Sequence, residues 1–403
     1  MRSRYFYGWN VVAATFVMAM LSFGLGFYGL TVVVMMLQRL HGWSASTVSA
    51  PITAYYVAGA LLTSRLGHLY ERLGPRAIVA GGAIAMAVGL CGLGLVSRPW
   101  QLYPAFLVMS IGWGAMSGAA INILVAPWFV RRRGLAVSIA FNGATLGGVI
   151  VTPALMVLVD ALGFERAIAT AAVVLVVTLL GLALGVMRHD PGELGLGPDG
   201  DPVAGAARLT ARPLERGEAL RTWRFWSVSV TFALGLAAQV GVLTHLVALV
   251  APLLGSGGAA RAVSTTTAAA VVGRLATGLV VDRLNRRLVA SATLAVQIVG
   301  VALLARPHST AGVYLGCILF GLGVGNLTTL PGLILAAEWP RDRFPALVAL
   351  AVGINQLTFA FGPTLVGVLH DWSGAYATAL MACMALEAIA AVLILLGPGR
   401  AGS

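Results

Sequence analysis

Ala259-Ala-Arg261-Ala-Val-Ser-Thr-Thr-Thr-Ala268-Ala-Ala270-Val-Val-Gly273-Arg274-Leu-Ala-Thr-Gly278-Leu-Val-Val-Asp282-Arg283-Leu-Asn-Arg-Arg287 is a run of small and apolar residues that ends in a basic cluster. It reads as a helix that crosses a membrane and leaves it through a charged loop. Inside it stands Arg274, with no acidic residue within seven positions on either side. A guanidinium near the middle of a membrane helix costs about 2.5–3.5 kcal/mol on insertion scales. Its pKa is too high for it to shed the charge. The expectation is an anion that comes to meet it.

The remainder of the chain reads the same way. It has 403 residues, 59% of them hydrophobic and 10% charged, and a mean hydropathy of +0.91. Soluble domains carry about 25% charged residues, so most of this length faces lipid or other helices. Apolar spans of ~20 residues recur from end to end, which suits polytopic helices rather than a barrel. The net charge of +12 comes from arginine alone, since there is no lysine. A basic total can mark nucleic-acid binding. Here the arginines lie in short loops between apolar spans, which is a topology signal, so no nucleic-acid partner is expected. Cys91, Cys317 and Cys383 each fall inside an apolar span. They have neither metal-ligand spacing nor the look of a disulfide framework, and neither a metal nor a cofactor is expected. Ionisable residues within spans are too scattered for a nucleophile and its base, which argues against an enzyme. Arg2 and Arg4 precede an apolar run too long for a signal peptide, so this run is the first membrane helix.

Hydropathy and turn signals place twelve spans at about 8–37, 47–70, 77–97, 101–128, 135–159, 163–187, 224–253, 259–281, 288–306, 311–337, 346–369 and 375–397. With the N-terminus inside, the outer loops hold only Arg39, Arg98, Arg166, Arg261 and Arg306, and twenty of the 26 arginines fall on the inner side. That bias predicts both termini in the cytoplasm, and the expected location is the inner membrane. The polar interval 188–222, rich in proline, glycine and mixed charge, reads as a tether between an N-terminal bundle (1–187) and a C-terminal bundle (223–403).

The two halves repeat. Gly67, Glu71, Arg72 and Arg76 follow the second span, and Gly278, Asp282, Arg283 and Arg287 follow the eighth, at a constant offset of 211. Asp160 and Asp371 share that offset. Trp9/Trp226 and Tyr28/His245 match at 217. The fold class is therefore all-α and polytopic, with twelve transmembrane helices in two pseudo-symmetric six-helix bundles. In the loop motif the glycine is expected to let neighbouring helices approach closely. The acid is expected to pair with an arginine or cap a helix N-terminus, so that the set latches the cytoplasmic gate.

The doubled Gly-x-x-x-Glu/Asp-Arg motif, the twelve spans and the central loop resemble the major facilitator superfamily. Three stretches narrow the likeness to its monocarboxylate and oxalate/formate carrier branch: Phe6-Tyr-Gly-Trp-Asn10, the run from Ala126-Pro-Trp-Phe to Ala140, and His245-Leu-Val with Gly273-Arg274. The resemblance implies a carrier working by alternating access, in which Arg274 matches the eighth-helix arginine associated with the substrate carboxylate. It also shows departures. Animal monocarboxylate carriers have an aspartate one turn earlier, where this chain has Ala270, and a lysine where Tyr28 aligns. Oxalate/formate carriers have a second cation where Asn355 stands beside Gln356. One fixed cation suits a monoanion, and without the aspartate an aspartate–arginine proton relay is not expected.

Substrate-binding candidates are thus Arg274, His245, Tyr28, Asn355, Gln356 and Asn122. Arg274 could instead snorkel, or pair with Glu387 or Asp371. His245 is a hydrogen-bonding or proton-carrying group, or a core histidine tied to a carbonyl. Tyr28 is a hydroxyl donor or a packing residue. Asn122, Asn142 and Asn326 read more readily as glue between helices. Glu387 is expected at an interface or facing lipid. Gly112-Trp-Gly114 and Gly321-Leu-Gly-Val-Gly325 sit in apolar spans and read as close helix packing, not nucleotide loops. The expected partners are a small organic anion, a proton or a counter-anion, and the bilayer. The alternative is an exporter of neutral or amphipathic compounds, with Arg274 turned away from its cavity. A membrane sensor would need a soluble signalling domain, for which the 188–222 interval is too short.

Overall fold

The computed structural model describes residues 6–188, 190–200, 220–281, 283–306, 309–339 and 344–397. Asp282, Arg2, Arg4, Arg341 to Arg343 and the 201–219 part of the tether lie outside the described residues. The first six crossings are α1 (Gly8–His41), α2 (Ala45–Thr63), α3 (Leu66–Gly94), α4 (Pro99–Trp128), α5 (Arg133–Leu162) and α6 (Phe164–Gly185). Trp223–Val280 holds two more, joined at Gly255, whose φ of 69° suits glycine and few other residues. They are α7 (223–254) and α8 (256–280). α9 is Arg286–Ala305, α10 is Thr310–Val324 with Leu330–Glu338, α11 is Phe344–Phe359 with Gly362–Ser373, and α12 is Tyr376–Leu395. The chain is an all-α, multi-pass membrane protein. Large apolar side chains such as Leu279 (77% exposed) and Val177 (67%) face outward, as a lipid solvent allows.

The second span ends sooner than expected, at Thr63. Gly74, with φ 75°, and Pro75 then separate a short helix from the third crossing, so Gly67 to Arg72 sit on that short helix. Two crossings are interrupted. α10 opens into turns over 325–329 ahead of Pro331, and α11 is broken at 360–361 ahead of Gly362-Pro363. A proline has no N–H to give the preceding turn and its ring crowds the carbonyl there, so a helix yields at such a point.

Contacts divide the chain into two compact units, Met1–Leu30 with Val57–Leu209, and Thr31–Tyr56 with Thr210–Ser403. The second is more than the C-terminal half, because it includes the end of α1 and the start of α2. Polar bonds hold them there. The Thr31 hydroxyl accepts the Val247 amide at 2.9 Å, and the Thr53 hydroxyl donates to the Ala360 carbonyl at 2.7 Å. Thr364 donates to the Ser49 carbonyl at 3.2 Å.

The repeat is visible inside each unit. In the first, Gly24 of α1 lies against Gly147 of α5; in the second, Gly241 of α7 lies against Gly362 of α11. Each glycine's missing Cβ would overlap the neighbouring helix, so small residues set these crossings. Arg76 Nε donates to the Met187 carbonyl at the end of α6 at 3.0 Å, and Arg287 donates to the Ile394 carbonyl at the end of α12 at 2.9 Å. The Tyr7 hydroxyl and the Trp223 indole N–H reach the next free carbonyls, Val186 and Leu396, at 2.8 and 3.0 Å. Carbonyls at a helix C-terminus lack intrahelical donors, and both halves satisfy them by the same device.

Candidate functional site

Arg274 lies in α8 beside the break in α10. A methyl on Gly273 would collide with the Leu322 carbonyl, so α8 and α10 touch backbone to backbone there. At that seam the Asn326 amide donates to the Gly273 carbonyl at 3.4 Å and to the Leu322 carbonyl at 3.1 Å. Arg274 is half-buried, and its Nε donates to the Gly325 carbonyl at 3.3 Å. The break therefore supplies an acceptor that a continuous helix would keep for itself. The Asn326 Oδ1 is buried and has no hydrogen-bond partner.

Neither acid named as a rival partner takes Arg274. Glu387 is fully buried in the second unit, which corrects the expectation of an interface or lipid-facing position. It lies on the α12 face shared with Cys383, Ala390 and Ile394, and both of its carboxyl oxygens lack a hydrogen-bond partner. Asp371 accepts the backbone N–H of Ala45 at 3.0 Å and of Ser46 at 2.7 Å, capping the first turn of α2.

His245 is buried where Gly241 and Gly362 bring α7 onto α11. Its Nε2 lies 3.0 Å from the Pro363 carbonyl and its Nδ1 lies 3.3 Å from the Tyr376 hydroxyl. A carbonyl only accepts, so Nε2 carries the proton and the neutral ring's Nδ1 accepts from Tyr376. The Tyr376 ring lies tilted against His370, with ring centroids 4.2 Å apart, and His370 Nδ1 donates to Asp371 at 3.1 Å. A row of side chains thus runs from His245 to the cap of α2. Asn355 is buried in α11 with its Oδ1 unpartnered, and Gln356 next to it is half-buried.

Arg274, His245, Asn355 and Gln356 share the second unit; Tyr28 and Asn122 belong to the first. Tyr28 closes a π-helical turn, Gly24–Tyr28, and is buried edge-on to Phe27, which stacks on Trp113. Asn122 is exposed and its amide returns to the Gly118 carbonyl of its own helix at 3.2 Å, and Asn142 is exposed too. Exposed side chains of this kind do not glue helices together, which corrects that reading of both. Asn326 does bridge α8 and α10.

The loop motifs divide. A Cβ on Gly67 or Gly278 would meet no atom within 4 Å, so neither glycine serves a close helix approach, contrary to expectation. Both face outward, Gly67 on its short helix and Gly278 on the exposed side of α8. Glu71, Arg72 and Arg283 are exposed and make no side-chain hydrogen bond or ion pair among the described residues. The motif's last arginine is the anchored one. Besides Ile394, Arg287 grips Glu338 at the end of α10 through two bonds of 2.7 and 2.9 Å, and its Nη1 donates to the Ser227 hydroxyl at 3.0 Å. Arg224 adds a third contact to Glu338 at 3.3 Å. In the first unit the corresponding position is Pro127, and an acid arrives from the tether instead. Asp199 accepts the amides of Val130 and Arg131 at 2.9 and 2.8 Å. The start of the tether is therefore docked rather than loose.

Sequence reading missed the α10 break, Tyr376, Glu338 and Asp199. The first had a signal, Gly325-Asn326 followed by Thr328-Thr329 and Pro331, a string of poor helix formers. The others had none, because their roles depend on which helix lies opposite.

The family model of the Major Facilitator Superfamily matches residues 14–331 and 254–402. Human monocarboxylate transporter 11 is 29% identical over 397 residues, covering 93% of this chain and 79% of that protein. The fujikurins efflux protein of Gibberella fujikuroi is 25% identical over 348 residues, covering 80% and 68%. The crystal structure of nucleoside transporter NupG superposes with a TM-score of 0.74 over 96% of this chain and 97% of that one, at 13% identity, a likeness of fold.

Proposed function

The chain belongs to the major facilitator superfamily, a family of transporters rather than enzymes, and on that premise we propose that it moves a small organic anion, a monocarboxylate, by alternating access. One observation carries this reading. Arg274 stands half-buried within α8 with its Nε on the Gly325 carbonyl at the α10 break. A guanidinium held through Nε presents a planar fork that matches a carboxylate. A single such fork neutralises one negative charge, which favours a monoanion.

Asn355 and Gln356 supply amide donors for the remaining polar atoms of the substrate, and His245 is a positioning residue on the same unit. With Ala270 in place of an acid, the coupling is proton symport through another group or exchange of anions. The inner membrane is the expected site, with both termini cytoplasmic, as the arginine bias argues. The Gly67–Arg76 and Gly278–Arg287 loops, the latter with Asp282, then form the cytoplasmic gate.

Uptake of a radiolabelled pyruvate-like anion into proteoliposomes tests the proposal. Arg274→Ala is expected to abolish uptake while inserting normally, and wild-type rates in the variant would remove the anion site. Export of amphipathic compounds is the second reading, favoured by the likeness to the fujikurins efflux protein. On that reading hydrophobic compounds, and not carboxylates, raise the melting temperature in detergent, and Arg274→Ala leaves that rise intact.

A further inference from the structure

A cavity of ≈ 620 Å³ opens at the end of the second unit remote from the Arg283–Arg287 loop, with Leu253, Leu254, Arg261, Thr265, Thr310 and Tyr314 on its walls. The Tyr314 hydroxyl donates to the Gly258 carbonyl at 3.2 Å and closes α10 onto α8 at its back. Arg261 is exposed, and its guanidinium makes no hydrogen bond or ion pair among the described residues. No carboxylate among the described residues lines the cavity.

Depth says what Arg261 meets. It lies six residues beyond the hairpin turn at Gly255, about 9 Å at 1.5 Å per residue. At that depth a basic side chain reaches the headgroup layer while its stem stays in hydrocarbon. The same face of α8 continues inward as Val272, Leu275 and Leu279, which are 59%, 64% and 77% exposed. Leu315 and Ile318 of α10 run beside them at 49% and 39%. One fixed cation in a cleft therefore stands at the head of two apolar tracks. Arg274 does not share the cleft. Thirteen residues further on, it points about 140° away around the helix axis.

The geometry points to a binding site for an anionic phospholipid, with its phosphodiester on Arg261 and the Thr310 hydroxyl and its acyl chains along α8 and α10. A phosphodiester carries one negative charge, which one guanidinium matches through paired N–H bonds. A free phosphate would match the cation but leave Leu253, Leu254 and the exposed tracks uncovered. A neutral diacylglycerol would cover the tracks but leave the guanidinium without a counter-charge. Basic clefts between membrane helices take lipid headgroups for this reason.

The test uses the full chain, delipidated in detergent, with native mass spectrometry and thermal melting. The ligands are dioleoylphosphatidylglycerol, dioleoylglycerol and inorganic phosphate. One phosphatidylglycerol should remain bound and raise the melting temperature. Arg261→Ala should weaken that retention about tenfold, the loss of one charge-assisted contact. Arg306→Ala, an exposed arginine ending α9, should leave it unchanged. Thr265→Trp should fill the cavity and prevent binding with the charge intact. Undiminished retention by Arg261→Ala or Thr265→Trp, or an equal shift from inorganic phosphate or dioleoylglycerol, would overturn the site.

Discussion

The Asp371 carboxylate accepts the Ser46 amide at 2.7 Å, although 325 residues separate them in the chain. A charge at the last turn of α11 thereby caps the first turn of α2, where the helix dipole favours an anion. Gly367, one turn earlier, keeps the two helices close, since a Cβ there would strike the Ser49 hydroxyl. This contact explains why Thr31–Tyr56 cluster with the second unit.

Removing that cap should loosen α2. Asp371→Ala is expected to cost about 0.5–2 kcal/mol, as for other helix N-caps. A cysteine at Ser49, in a background lacking Cys91, Cys317 and Cys383, should then react faster with a membrane-impermeant maleimide. Equal labelling with and without Asp371 would show that the cap does not hold the helix.

Arg274→Lys tests geometry against charge. An ammonium keeps the positive charge but loses the planar fork and the Nε bond to Gly325. Uptake should fall by at least tenfold, with most of the loss in apparent affinity. Full retention would mean that a point charge suffices.

The two repeat-related arginines should differ in weight. Arg287→Ala leaves Glu338, which is 16% exposed, with the Arg224 contact in place of its bidentate partner, and the expected loss is about 2–3 kcal/mol. Arg76→Ala removes one bond to a carbonyl and should cost about 1 kcal/mol. Replacing Arg287 and Glu338 together by Met and Leu should recover much of the loss. Melting temperatures in one detergent decide among these.

Glycine substitutions separate packing from exposure. Gly362→Ala places a methyl against the Ala237 carbonyl and should lower the melting temperature by several degrees. Gly67→Ala and Gly278→Ala meet open space and helical backbone, so they should be neutral or slightly stabilising. A large loss at Gly278 with no loss at Gly362 would contradict the crossing described for α7 and α11.

The tether's dock should weaken in acid. Burial raises the Asp199 carboxyl, but the amides of Arg131, Val130 and Arg132 and the charge of Arg131 outweigh it and hold it below its ordinary value. A carboxyl depressed in the folded state contributes stability that is present above its unfolded pKa of ~3.9. That contribution is lost as the pH falls through the lower folded value. Hydrogen exchange over 191–200, compared with Asp199→Asn at the same pH, should show extra protection near neutral pH that vanishes in acid. A constant difference across the range would put the protection elsewhere.

Some of this is legible in the amino-acid sequence alone. Hydropathy is a local sum, so the membrane class and the twelve crossings follow from composition along the chain. The offsets of 211 and 217 are likewise a property of order alone, and the glycine crossings and capped carbonyls bear the repeat out. Arg274 stood out because placing a charge within an apolar span is costly wherever its neighbours lie. What only the tertiary structure decided is which face meets which. Glu387 could have faced lipid or core, Gly67 and Gly278 could have touched a helix or nothing, and Asp371 could have gone to Arg274 or to Ser46. Each outcome depends on contacts between residues far apart in the chain, set by helix rotation and by the breaks at Pro331 and Pro363, and a linear pattern does not encode rotation.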